Sequence, residues 1–212
     1  MKIAIIGLGN IGRKVARNLT IGGQPVIVAD RTATKAESLA AELGTAAEAL
    51  PIEQAIRTAD AIVLAVYLDA IKDLIRSYHA SLAGKVVVDP SNPIAPDGKG
   101  GFTKTIPDDQ SSGQMITTML PEGAELVKAF GTISADSLAS AVSRLPERAV
   151  LFYATDYKEA GRVAATLITA SGFSPVSVGG INQSIRIEVG GDLHEYGKLG
   201  RLVSAAEATA LL

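Results

Sequence analysis

The chain has 212 residues, 47% of them hydrophobic and 20% charged, with a formal net charge of −2. That length buries a substantial core, and the near-neutral balance leaves no electrostatic footprint for nucleic acid. With no cysteine and two histidines, disulfides and thiolate metal sites are excluded, a histidine-rich zinc site is disfavoured, and no metal is expected. Gly7 cuts the apolar Met1–Ile6 run short of a signal-peptide core, and no later run approaches the ~20 apolar residues of a membrane helix. A cytoplasmic protein without membrane partners is expected.

Short apolar runs alternate with helical spacings from the start. Lys2–Ile6 reads as a buried strand, and Ile11–Leu19 as a helix with Ile11, Val15 and Leu19 on one face. Pro25–Ala29 is a second strand, Lys35–Leu43 a second helix stopped by Gly44, and Ala61–Val66 a third strand. Leu68–Leu82 is a helix closed by Ala83-Gly84, and Lys85–Asp89 a fourth strand. Near-continuous apolar strands separated by helices predict a mainly parallel sheet covered on both faces.

Pro90–Ser112, rich in proline and glycine, breaks the rhythm. So long a connection is expected to be functional or mobile, with Pro96–Pro107, carrying Lys99 and Lys104, a candidate lid or anion-contacting loop. Alternation resumes with a helix at Gly113–Met119, a strand at Leu126–Ile133, a helix at Asp136–Arg144 and a strand at Ala149–Ala154. A helix over Lys158–Ser171 ends near Gly172, and a strand follows at Pro175–Val178. Ile185, Ile187 and Val189 then alternate with polar residues like a strand, while Gly190-Gly191 weakens strand and helix alike.

Gly7-Leu8-Gly9-Asn10-Ile11-Gly12 follows a strand and opens a helix, the context in which this glycine spacing binds a dinucleotide. Gly7 permits the tight turn, Gly9 lets the backbone approach a pyrophosphate, and Gly12 lets helix and strand pack closely. The helix N-terminus offers free amides to the phosphates. The fold is therefore expected to be α/β, a doubly wound Rossmann sheet. Asp30 stands at the end of the second strand, about where a carboxylate holds the adenosine ribose of NAD. Arg31, Thr32 and Lys35 beside it suit the 2′-phosphate of NADP, so the residues leave NADP and NAD both open. Asp89-Pro90-Ser91-Asn92-Pro93 occupies the carboxyl end of the fourth strand, where Asn92 can offer an amide donor and acceptor to a nicotinamide.

The order of Gly7–Gly12, Asp89–Pro93, Lys128-Ala129-Phe130-Gly131-Thr132-Ile133 and Gly179-Gly180-Ile181 resembles the deazaflavin-dependent NADP oxidoreductases, and is similar to the reductase domain of six-transmembrane metalloreductases. The resemblance implies a small C-terminal portion beside the Rossmann domain, with residues 1–180 binding the dinucleotide and 181–212 forming the acceptor-side segment. It implies that Arg31, Thr32 and Lys35 meet the adenosine phosphate, that Ala65 and Val66 lie beside the cofactor, and that Asn92 and Pro93 lie near the nicotinamide. It places Gly131, Thr132 and Ile133, with Gly197 and Leu199 of the Gly197–Gly200 turn, around a second ring, a flavin or deazaflavin. Three features depart from the family pattern: a plain rather than extended glycine loop, Asp30 in place of a small neutral residue, and Gly131 in place of a bulkier polar one.

The tail from Gln183 to Tyr196 concentrates polar side chains. His194, with a reference pKa near neutrality, is a candidate proton donor to a reduced acceptor, and Arg186 a candidate at its border. The plainer alternative is surface polarity and an Arg186–Glu188 pair. The expectation is an NAD(P)H-dependent oxidoreductase, a homodimer, passing hydride between nicotinamide and a flavin, deazaflavin or small acceptor. The alternatives are a dehydrogenase or imine-type reductase using Tyr153, Tyr196 or His194 as acid, and a dinucleotide-sensing module without catalysis.

Overall fold

The computed structural model describes residues 1–98 and 101–212. Lys99, one of the two expected anion contacts, lies outside them. The main sheet comprises β1 (Ile3–Ile6), β2 (Val26–Ala29), β3 (Ala47–Ala49), β4 (Ala61–Leu64), β5 (Val86–Asp89) and β8 (Glu125–Lys128), all parallel, in the spatial order β3-β2-β1-β4-β5-β8. The chain winds outward from β1 to β3, then returns to β4 and winds the other way. The strand order thus reverses between β1 and β4, and that crevice is where open α/β sheets take ligands.

Alternate strand residues enter two cores, which explains the unbroken apolar runs. Ile3, Ile5, Val26, Val28, Val63 and Val88 face α1 (Asn10–Ile21) and α7 (Lys158–Ala170). Ala4, Ile6, Ile27, Ile62, Leu64 and Val87 face α3 (Ile52–Thr58), α4 (Leu68–Leu82) and α5 (Ser112–Thr117). A strand buried on both faces has no solvent side to carry polar residues. Helix α2 (Ala33–Leu43) ends at Gly44, whose φ of 64° suits glycine.

A smaller parallel pair, β9 (Val150–Tyr153) and β10 (Ser174–Ser177), is joined by α7 as its crossover. It touches the main sheet through an antiparallel bridge in which Lys128 and Ala154 exchange backbone hydrogen bonds of 2.9 and 3.0 Å. Helix α6 (Ala135–Ser140) packs beside α1. The tail carries α8 (Ser184–Ile187) and α9 (Ala205–Thr209) and packs over β9 with Ile187, Leu193 and Val203. No helix among the described residues is long and apolar enough to cross a membrane.

Several sequence expectations are corrected. The strand expected over Leu126–Ile133 stops at Lys128, because Phe130 turns the chain with φ of 68°. Residues Pro90–Ser112 contain an antiparallel hairpin, β6 (Ile94–Pro96) with β7 (Phe102–Lys104), in which Lys104 Nζ donates to the carbonyls of Asp108 and Gln110 at 2.9 and 3.0 Å. The alternation at Ile185, Ile187 and Val189 does not form a strand. Ile181, Ser184 and Ile187 are buried at three-residue spacing, which is the repeat of the short helical turns found there.

Gly22, which ends α1, abuts the end of α7: a Cβ there would lie 1.8 Å from the Ala170 carbonyl oxygen. Backbone cannot yield as a side chain can. Gly22→Ala is therefore expected to destabilise by ~1–3 kcal/mol, lowering the melting temperature by ~2–4 °C per kcal/mol in calorimetry. Gly9→Ala, facing open space within 4 Å, is expected to melt like the parent.

Candidate active site

The glycine loop sits at the β1 end of the crevice. Gly7 has φ of 92°, and a Cβ on it would lie 2.3 Å from Val66 Cγ1. A Cβ on Gly12 would lie 2.0 Å from the Gly7 carbonyl oxygen, so α1 rests directly on the loop. Gly9, the residue before α1, meets nothing within 4 Å. No side chain caps α1 and no acidic residue stands in its first turn. Asn10 is exposed and Ile11 half-buried, leaving the first-turn amides open to an anion. These residues fit a dinucleotide pyrophosphate.

Asp30 Oδ2 accepts from the Leu8 N–H and Oδ1 from the Thr32 N–H, both at 2.9 Å. The carboxylate thus ties the loop after β2 to the glycine loop. Arg31, Thr32 and Lys35 are exposed at the start of α2, while Ala65 and Val66 are half-buried just beyond β4.

Asn92 behaves differently from the expected free amide. Its Nδ2 donates to the Gly131 carbonyl at 3.0 Å and its Oδ1 accepts from the Val189 N–H at 2.7 Å, while Pro93 is buried. Asn92 therefore joins the β5 loop to the β8 loop and the tail. Gly131 has a physical reason to be glycine, since a Cβ would lie 2.7 Å from the Pro90 carbonyl oxygen. Thr132 is buried and its Oγ1 finds no partner among the described residues; the same holds for Ser91 Oγ on the neighbouring strand-end loop. Ile133 is buried in the core beneath them.

The tail crosses these strand ends. His194, 2% exposed, donates through Nε2 to the Gly131 carbonyl at 2.9 Å, and its Nδ1 accepts from the Tyr196 N–H at 2.9 Å. A carbonyl only accepts, so the proton resides on Nε2. Both ring nitrogens are engaged, which makes His194 a brace between tail and sheet. The surface alternative is corrected by its burial. Glu195 accepts from the Ser137 hydroxyl at 2.6 Å and from the Ser134 N–H, and its own N–H donates to the Thr132 carbonyl. Tyr196 is 67% exposed with its ring 5.9 Å from that of His194.

Arg186 pairs with Asp192 through both Nε and Nη2, rather than with Glu188. This hydrogen bond raises the Arg186 pKa and lowers that of Asp192. Gly197 passes so close to the Gly191 carbonyl that a Cβ would lie 1.7 Å from its oxygen, and Leu199 packs on the cluster of Val150, Phe152 and Leu193. Tyr153 is half-buried and lines an open recess of about 440 Å³ with Tyr157 and Arg162, at the carboxyl end of the β9–β10 pair rather than beside the glycine loop.

Sequence reasoning did not join the buried Asp89, Lys128, Ser112 and Glu188, which are linked by hydrogen bonds and ion pairs, and paired Glu188 with Arg186 instead. A signal existed, in that Asp89 ends the otherwise apolar β5 and Lys128 directly follows the apolar Leu126-Val127 pair of β8.

Residues 2–93 match the family model described as NADP oxidoreductase, coenzyme F420-dependent. The chain is 27% identical over 199 residues to the F420-dependent NADP reductase of Methanothermobacter marburgensis, covering 89% of this chain and 88% of that one. A solved Sinorhizobium meliloti protein described as hypothetical superposes with a TM-score of 0.84 at 30% identity, covering 96% and 95% of the two chains. A reductive aminase from Aspergillus terreus shares the fold, with a TM-score of 0.63 at 20% identity, and this chain covers 56% of it.

Two outcomes are expected. Gly9→Val folds, since its Cβ is unobstructed, but loses dinucleotide affinity at least ~10-fold in titration calorimetry, because the side chain occupies the pyrophosphate approach. Burial pushes the His194 pKa below its ordinary 6.5, against the smaller opposing effects of the Gly131 carbonyl and Glu195. The unfolded chain then binds the extra proton first, so stability is full above pH 6.5 and falls as pH drops through the window below it. Thermal melts from pH 8 to 5 check this, and His194→Gln is expected to flatten that slope.

Proposed function

We propose that this chain, whose residues 2–93 match the coenzyme F420-dependent NADP oxidoreductase model and which is similar over most of its length to an F420-dependent NADP reductase, passes hydride between NADP, held on the glycine loop, and a flavin or deazaflavin ring. The observation that carries the reading is the uncapped N-terminus of α1 behind Gly7, Gly9 and Gly12, at the reversal of strand order. In this reading residues 1–180 hold the dinucleotide and 181–212 complete the acceptor side.

The dinucleotide supplies the hydride chemistry, and the protein's part is binding, orientation and exclusion of water. The amides of α1 receive the pyrophosphate. Asp30, engaged by two backbone N–H groups, serves as a clamp on the loop. The exposed Arg31 guanidinium, with Thr32 and Lys35, receives the 2′-phosphate, for which Arg has the right planar fork. Ala65 and Val66 bound the groove, and the Asn92–Gly131 contact closes its far side. Gly131 and Thr132, resting on the buried Ile133, border the acceptor with Arg186, Gly197 and Leu199, and the tail's hydrogen bonds to the loop after β8 supply a fixed wall. His194 shapes that wall through Gly131 and Tyr196 rather than handling the transferred proton.

The test is NADPH oxidation assayed with F420, flavins, quinones and imines as acceptors. Turnover with F420 or a flavin supports the proposal, and turnover confined to imines or quinones, or none at all, overturns it. Arg31→Ala is expected to weaken NADP binding by ~10–100-fold, the scale of one charge-assisted contact, with NAD affected much less. Equal losses for both would return the selection to Asp30.

A further inference from the structure

The tail's attachment has a chemical centre away from the glycine loop. Lys128 is 2% exposed at the end of β8, among Asp89 at 0% and Glu188 at 2%. Its Nζ donates to Asp89 Oδ2 at 2.7 Å, to the Ser91 carbonyl at 2.5 Å and to Ser112 Oγ at 2.7 Å. An ammonium has three protons, so its hydrogen-bonding capacity is filled. Ser112 Oγ in turn donates its own hydrogen bond to Glu188 Oε1 at 2.8 Å. That carboxylate also accepts the Gly113 N–H on Oε1 and the Ser112 N–H on Oε2, each at 3.1 Å, and lies 3.6 Å from Nζ.

One cation therefore binds three segments distant in sequence: the Asp89–Asn92 loop, the start of α5 and the tail at Glu188. The residue after Glu188, Val189, donates to Asn92, and Glu195 and Tyr196 follow along the same crossing. A surface ion pair would contribute little, whereas one sealed at this depth holds its partners in a single geometry, because separating them strands charge in a dry interior.

We infer that Lys128 is a positioning residue that fastens the Glu188–Tyr196 tail across the carboxyl ends of β5 and β8, and so sets the acceptor side of the site without touching the dinucleotide. The acceptor part rests on the oxidoreductase reading. The attachment itself does not.

The test uses the full chain and two variants. Lys128→Met removes the cation, and Ser112→Ala, a milder change, cuts the hydroxyl link between Lys128 and Glu188 and keeps the experiment decisive should the first fail to fold. Amide hydrogen exchange at Val189, Glu195 and Tyr196 is expected to quicken at least ~10-fold, with amides of β1, β2 and β4 unchanged. NADP affinity by calorimetry is expected to stay within about twofold, while the acceptor KM rises several-fold, more in Lys128→Met than in Ser112→Ala. Exchange that quickens evenly through the sheet marks a purely structural role and overturns the inference, as does unchanged exchange in the tail. Faster tail exchange with an unaltered acceptor KM also overturns it. A parent protein inactive with every acceptor defeats the oxidoreductase reading, and the exchange measurement then still decides whether Lys128 holds the tail.

Discussion

The contact between the Gly12 Cα and the Gly7 carbonyl governs the arrangement of everything above the sheet. Neither position tolerates a Cβ in the space present, at 2.0 Å for Gly12 and 2.3 Å for Gly7. This lets α1 begin directly against the end of β1, so that its unpaired amides open into the crevice where the strand order reverses. Were α1 lifted by the width of a methyl group, Val15 and Leu19 would leave their places in the core they share with Ile5 and Val28, and the first-turn amides would lose their floor. Packing and ligand site are thus one constraint, met by two missing side chains.

At the other end of the crevice the solution is polar. Asn92, His194, Glu195 and Glu188 each bind backbone groups of segments far away in sequence, and Gly131 accepts from both Asn92 and His194. Irregular chain crossing strand ends carries N–H and C=O groups that no ladder satisfies, and these side chains supply the partners. The tail's polarity is explained by that need. Phe130, held at φ of 68° with its ring fully buried, turns the chain so that the Gly131 carbonyl faces both donors.

The parallel sheet was legible because local spacing and tertiary burial agree there: strands covered on both faces must be apolar throughout. The glycine loop was legible for the same reason, its spacing being a record of backbone approach. Short β3 and α3 left no such mark, since three half-exposed residues and a seven-residue helix carry too little periodicity. The hairpin in Pro90–Ser112 was hidden by prolines at its margins. The roles of Asn92, His194 and Lys128 could not be read from one sequence, because each is decided by a partner 39 to 97 residues away. Arg186 illustrates the point: Glu188 is nearer in sequence, but Asp192 lies where the turn at Gly190-Gly191 brings the chain back.

The separation of 97 residues between Asn92 and Val189 also orders events in time. A ribosome adds ~5–20 residues per second, so roughly 5–20 s pass between emergence of the two partners. All the strands flanking the glycine loop lie before Asn92 in the chain. A nascent chain therefore passes through an interval in which β1, β2 and β4 around the glycine loop are already synthesised while the wall across β5 and β8 does not yet exist.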